Sequence, residues 1–225
     1  MNIEKCEYCK AKDNTAVKVL SNNELELLQK NTLQLHLKEE VEVFKQDSAS
    51  SNIFYLKEGI VKLTVKGNHR NKIIKIINSP NYIGLASSLG SSIFNFSAIT
   101  LTKCVVCVTT LETYQNLILQ NKYFSLEIIK HLSENELTQY NSCVCLLQQN
   151  LNGRLASCLV NFSNNIYKSP KFEINRKDLS DIIGHSRENI SRAISQLTKD
   201  GIINIDGNYI EIIDSLKLET IAKKG

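Results

Sequence analysis

The stretch Asn175-Arg176-Lys177-Asp178-Leu179-Ser180-Asp181-Ile182-Ile183-Gly184-His185-Ser186-Arg187-Glu188-Asn189-Ile190-Ser191-Arg192 carries two short helices with a tight turn between them. Asn175 caps a helix running from Arg176 to Ile183. Gly184 supplies the turn, and Ser186 caps a second helix from Arg187 to about Lys199. The turn residues Gly184-His185-Ser186 give the spacing of a helix-turn-helix. Leu179, Ile182, Ile183, Ile190, Ile194 and Leu197 fall where they lock the two helices together.

Asp200-Gly201 stops the second helix, and Ile202 to Ile213 alternates around Asp206-Gly207-Asn208, the signature of a hairpin. Phe172-Glu173-Ile174 reads as a short strand ahead of the first helix. Together these make a winged helix-turn-helix. The first turn of its second helix is the part able to enter a DNA major groove. Arg187, Glu188, Ser191 and Arg192, at i, i+1, i+4 and i+5, share one exposed face. Arginine bonds both acceptors of guanine, glutamate accepts from cytosine, and serine adapts to either. His185 and Ser186 in the turn, with Lys177, Lys199 and Asn208, are candidates for phosphate contacts. A merely solvated charged face is the plainer alternative; the caps, turn glycine, wing and polar face together favour groove reading.

Upstream, Asn121 to Leu151 contains neither glycine nor proline. Leu126, Ile129, Ser133, Glu136, Tyr140, Cys143 and Leu147 recur along it with 3,4-type spacing, the pattern of a long helix with a seam. A helix of roughly 30 residues spans about 45 Å, more than one small barrel covers. Pairing with a second copy is therefore expected over packing on its own barrel alone. Glu136 falls on the seam, where like charges meet across a two-fold axis.

From about Leu33 to Thr110 the pattern is one of short β-branched runs: Val41–Phe44, Ile53–Leu56, Ile60–Val65, Ile73–Ile77 and the strands between Ala98 and Thr109. Turn-forming stretches at Gly67-Asn68 and Asn78-Ser79-Pro80-Asn81 separate them, which predicts a sandwich or jelly-roll barrel. Ahead of it, Ser21 with Glu24 three residues on starts a short amphipathic helix. The expected fold class is α+β. A segment with a β-roll sensor domain covers 1–120, a dimerisation helix 121–150, and the winged helix-turn-helix 151–225.

The chain has 225 residues, 42% of them hydrophobic, enough for two cored domains. Its net charge of +4 divides evenly: 16 Lys and Arg against 14 Asp and Glu up to residue 150, and 11 against 9 after it. A nucleic-acid face must then come from arrangement, not excess. No apolar run is long enough for a membrane span, and Met1-Asn2-Ile3-Glu4-Lys5 lacks an apolar leader, so a cytoplasmic protein without a membrane partner is expected. Seven cysteines in that compartment argue for metal, redox or packing roles over disulfides.

Gly184-His185-Ser186-Arg187-Glu188-Asn189-Ile190-Ser191-Arg192 resembles the recognition-helix motif of the Crp/Fnr family of bacterial regulators. The resemblance takes in Lys57-Glu58-Gly59-Ile60-Val61-Lys62 and Gly153-Arg154-Leu155-Ala156, and runs over nearly the whole chain. It implies a cyclic-nucleotide-binding-like β-roll, a dimerisation helix and a winged helix. It also implies double-stranded DNA with a two-fold symmetric site as partner, a homodimer, and contacts with RNA polymerase if the protein activates. The cAMP-responsive branch pairs Arg-Glu with a later Arg, like Arg187, Glu188 and Arg192. The oxygen-responsive branch has Glu followed by Ser-Arg, like Glu188, Ser191 and Arg192. A TGTGA-like or TTGAT-like half-site follows.

Cyclic-nucleotide binding in this family uses a Gly-Glu pair and a nearby arginine. Here the stretch reads Ile83-Gly84-Leu85-Ala86, and no arginine lies between Arg70 and Arg154. A cyclic phosphate lacks its bidentate partner, so cAMP is not the expected effector. The oxygen-responsive branch instead has N-terminal iron–sulfur ligands and one distant one, to which Cys6-x-x-Cys9 and Cys107 are similar. Thiolates suit iron–sulfur clusters and zinc alike. The pattern departs from the branch at Thr15, which stands where a third N-terminal cysteine belongs, leaving Asp13 or Cys104 as substitutes. Cys104 lies three residues from Cys107 on an expected strand, so the two face opposite ways. Cys104, Cys143, Cys145 and Cys158 read as packing residues. The resemblance places the chain nearer the oxygen-responsive branch.

Two other classes compete. A cupin-like metal enzyme needs clustered histidines and carboxylates, and His36, His69, His131 and His185 are scattered, so no enzyme is expected. A dimeric adaptor that does not bind DNA leaves the polar face of the second helix unexplained.

Overall fold

The computed structural model describes residues 15–67 and 71–225. The described chain divides into two compact units, one of residues 15–66 and 75–137, the other of residues 67, 71–74 and 138–225.

The first unit is a two-sheet roll. Strands β1 (Thr32–Leu37), β3 (Asn52–Glu58), β6 (Asn81–Ile83) and β8 (Cys104–Thr110) form a sheet in the order β1-β8-β3-β6. Strands β2 (Glu42–Phe44), β4 (Ile60–Val65), β5 (Lys72–Asn78) and β7 (Ser97–Thr100) form a second, ordered β2-β7-β4-β5. Alternation assigns the side chains. Phe54, Leu56, Ile83, Cys104 and Val106 of the first sheet meet Phe44, Val61, Leu63, Ile77 and Ala98 of the second in one buried cluster, with Phe94. The intervening residues of the first sheet, among them Ile53, Tyr55 and Tyr82, face outward and are covered by helices.

That cover comes from a 3₁₀ turn (Ala16–Val19), α1 (Asn22–Lys30), α3 (Leu111–Gln120) and the start of α4 (Lys122–Gln148), while α2 (Leu85–Gly90) follows β6. Helix α1 begins on a complete capping box. Ser21 Oγ accepts from the Glu24 amide at 3.5 Å, and the Glu24 carboxylate accepts from the Ser21 amide at 2.7 Å. Helix α3 adds to the sequence expectation. Thr110 caps it directly off the end of β8, with no glycine or proline to punctuate the change.

Helix α4 presents two faces. Phe124 and Ile128 are buried against the roll, whereas all seven seam positions, Leu126 to Leu147, are exposed. Cys143 is thus no packing residue within the chain, because it lies on the outer face of α4. The helix ends at Gln148, since Asn150 turns its side chain onto the Asn152 and Gly153 amides and caps the next helix.

The second unit contains α5 (Leu151–Asn161), a π turn (Phe162–Ile166), β9 (Lys171–Glu173), α6 (Arg176–Ile183), α7 (Arg187–Lys199), β10 (Ile203–Asp206), β11 (Tyr209–Ile212) and α8 (Ser215–Lys224). The strands form an antiparallel sheet ordered β10-β11-β9. Leu155, Leu159, Phe162, Phe172, Leu179, Ile183, Ile190, Ile194, Leu197 and Leu218 are buried. Ile182, expected among the locking residues, is only half-buried. Helix α8, capped by the Asp214 carboxylate on the Lys217 amide at 2.9 Å, was not expected from the sequence.

Candidate nucleic-acid interface

Asn175 Oδ1 accepts from the Asp178 amide at 2.8 Å and opens α6. Gly184 ends it in the left-handed region, at φ +85°, a conformation that costs any side-chain-bearing residue. The turn is tied by two bonds: the Gly184 amide to the Ser180 carbonyl at 3.0 Å, and Ser180 Oγ to the His185 carbonyl at 2.6 Å. Ser186 then caps α7, accepting from the Asn189 amide at 3.2 Å.

Helix α7 is amphipathic. Ile190, Ala193, Ile194 and Leu197 are buried, while Arg187, Glu188 and Arg192 are exposed and Ser191 is half-buried beside them. The four expected reading residues therefore share one face of one helix, around its first two turns. His185 is half-buried in the turn, and Ser186 and Lys177 are exposed near it in sequence. Lys199 is exposed too, but twelve residues from Arg187 along the helix axis, about 18 Å away. It does not join the reading turn. Asn208 is exposed in the wing turn, its carbonyl accepting from the Ile174 amide at 3.0 Å. Arg176 Nη1 reaches the Gly207 carbonyl at 3.4 Å, which links α6 to that turn.

One member of the face escaped the sequence reading. Asn189 Oδ1 accepts a bond of 2.8 Å from Arg192 Nη2. Its i, i+3 spacing was the available signal.

In the roll, Cys107 pairs across the sheet with Gln34 and Tyr55 and lies electrostatically close to Tyr114, on the helix-covered outer face. Cys6, Cys9 and Asp13 lie outside the described residues. Cys104 belongs to the inner cluster, where its sulfur lies 3.4 and 3.3 Å from the Ile60 and Thr102 carbonyl oxygens, either of which can accept its one S–H, and burial pushes its pKa up. It therefore cannot converge with Cys107. Thr15 is buried and spends its hydroxyl on the Val17 amide, at 3.0 Å. Among the described residues no group of three or more His, Cys, Asp or Glu side chains is placed to hold a metal. The space between the sheets is filled with aromatic rings: Phe44 stacks on Phe94 with centroids 3.8 Å apart, and Phe54 lies 5.2 Å from Phe44.

Residues 34–121 match the cyclic nucleotide-binding domain family, and residues 153–221 match the Crp-like helix-turn-helix domain family. The chain belongs to the Crp/Fnr family of transcriptional regulators. Its relatives include the transcriptional activator protein anr of Pseudomonas aeruginosa, 21% identical over 80% of this chain and 76% of that protein. Electron transport regulator A of Shewanella oneidensis is 24% identical over 80% and 75%. The structure of FixK2 from Bradyrhizobium japonicum shares the fold with a TM-score of 0.76 at 15% identity, over 84% of this chain and 96% of that one. As a Crp/Fnr regulator the protein carries a DNA-binding helix-turn-helix and a sensory domain of the cyclic-nucleotide-binding type. Among the described residues no helix is long and apolar enough to cross a membrane.

Proposed function

We propose that this Crp/Fnr regulator binds a two-fold symmetric DNA site as a homodimer in the cytoplasm, reading bases with Arg187, Glu188, Ser191 and Arg192 of α7. The exposed polar face of α7, opposite a buried apolar one, carries the reading. His185, Ser186, Lys177 and Asn208 are assigned to the phosphates beside it, and Lys199 to a more distant one. The dimer is assigned to the outer face of α4, where Leu126, Ile129, Tyr140 and Leu147 are between 57% and 79% exposed. Large apolar side chains repeated along one exposed helix face favour burial against a second copy. Contacts with RNA polymerase belong to the same proposal. Titrating a duplex at several salt concentrations tests the DNA reading. Phosphate contacts release counterions, so log affinity must fall linearly with log salt; a flat line contradicts it.

The signal assigned to the roll is a redox one, in keeping with the name of the Shewanella relative. The stacked Phe44 and Phe94 rings pack against Gly84, and Leu85 stands where the phosphate-side glutamate belongs, which speaks against a cyclic nucleotide. Cys107 is a half-buried thiol on the outer face of its sheet, opposite Tyr55, and thiolates are the ligands an iron–sulfur cluster prefers. Cys104 does not suit one. We assign an iron–sulfur group to Cys6, Cys9 and Cys107, which, when bound, supplies sensitivity to oxidation. Anaerobic purification with iron, sulfide and visible-absorption assays tests this. Colourless, iron-free protein after anaerobic reconstitution overturns it.

A further inference from the structure

Two helices in this chain start with the same serine cap and differ three residues later. In α1, Ser21 and Glu24 close a reciprocal box. In α7, Ser186 accepts from the Asn189 amide, but the shorter Asn189 side chain does not return to the Ser186 amide. Its Oδ1 instead accepts from Arg192 Nη2, 2.8 Å away. Among the described residues, Arg187, Glu188 and Ser191 have no side-chain hydrogen bond or ion pair. Arg192 is the one member of the reading face that is held before DNA arrives.

We infer that Asn189 is a positioning residue that fixes the Arg192 guanidinium for the major groove and so sets how strictly Arg192 discriminates its base. The inference rests on the proposed reading of DNA by α7. An arginine has five N–H donors, and a guanine takes two. The bond to Asn189 occupies one donor of Nη2 and leaves enough for a bidentate contact. A free arginine on a helix surface samples many rotamers, and ordering it on DNA costs conformational entropy. Asn189 removes part of that cost in advance, and only for the planar approach its Oδ1 permits. Because the two residues are one helical turn apart, the bond needs no other element to form. The neutral amide also matters. A carboxylate here would hold the guanidinium more tightly, but would set a negative charge facing the phosphates.

The test measures binding of the full chain, at one salt concentration, to its selected site and to every single-base-pair variant of that site. Wild type is compared with Asn189→Ala, Asn189→Asp, Arg192→Ala and the Asn189→Ala, Arg192→Ala double variant. Arg192→Ala is expected to relax the preference at one base pair of each half-site. Asn189→Ala is expected to weaken preference at that same pair roughly three- to tenfold and leave the other positions intact. The double variant should match Arg192→Ala alone. Asn189→Asp, which keeps an acceptor for Arg192, should retain the discrimination at lower overall affinity. A uniform loss of affinity in Asn189→Ala with every preference preserved overturns the inference, as does no change at all. Wild-type protein with no sequence preference would instead overturn the reading of DNA by α7, and the inference with it.

Discussion

Lys75 Nζ donates to Asn135 Oδ1 at 2.6 Å, and that bond fixes which way the asparagine faces. An ammonium offers only donors, so Asn135 must give it the oxygen and turn its amide nitrogen to His131 Nε2, 2.8 Å away. Nε2 can accept only while unprotonated. Burial, and then the Lys75 charge, lower the His131 pKa from its usual 6.5, with Glu134 acting weakly the other way.

The sign of the pH dependence follows. The unfolded chain protonates its histidine near the usual value, while the folded chain resists, so the unfolded state binds more protons just below that value. Stability contributed here is complete above about pH 6.5 and is lost as pH falls toward the lowered folded pKa. Urea midpoints at pH 7.5 and 5.5 should drop less in His131→Gln than in wild type. Identical drops would show that His131 protonation does not drive the loss.

The roll depends on its aromatic filling. Phe94 is fully buried and stacked on Phe44. Phe94→Ala should cost about 3–5 kcal/mol in urea unfolding. A loss below about 1 kcal/mol would mean the interior collapses around the gap, or is not packed as described.

Gly184 tests the turn. Its φ of +85° makes Gly184→Ala unfavourable by about 1–2 kcal/mol. No crowding adds to this, because a Cβ there meets nothing closer than 3.8 Å. Thermal melts that do not shift would contradict the left-handed turn.

The helix-turn-helix was legible in the sequence because each of its boundaries is a local event. Asn175, Gly184 and Ser186 cap or turn the chain through atoms within three or four residues. Strands β3, β4 and β5 were visible as β-branched runs bounded by turn residues. Helix α3 was not, because it follows β8 at Thr110 with no break in composition. Helix α8 could have been found from Asp214 ahead of Leu218 and Ile221. The Lys75–Asn135–His131 chain had no sequence signal, since Lys75 comes from β5 and the other two from α4. The opposed faces of Cys104 and Cys107 were legible from strand alternation alone.

Glu136 lies exposed on the α4 seam among large apolar side chains. If α4 pairs with its twin about a two-fold axis, two carboxylates approach each other and weaken the pair. Sedimentation should show a tighter dimer for Glu136→Leu than for wild type, with or without oxygen. Equal dimer stability in the two proteins would place Glu136 away from the interface.

On the proposed reading, two copies of α7 contact two related half-sites. Selection from a random DNA pool by the wild-type protein tests it most directly. The expected result is a two-fold symmetric site with TGTGA-like or TTGAT-like halves, centred about one helical turn apart. A recovered site without two-fold symmetry, or no enriched site at all, would contradict it.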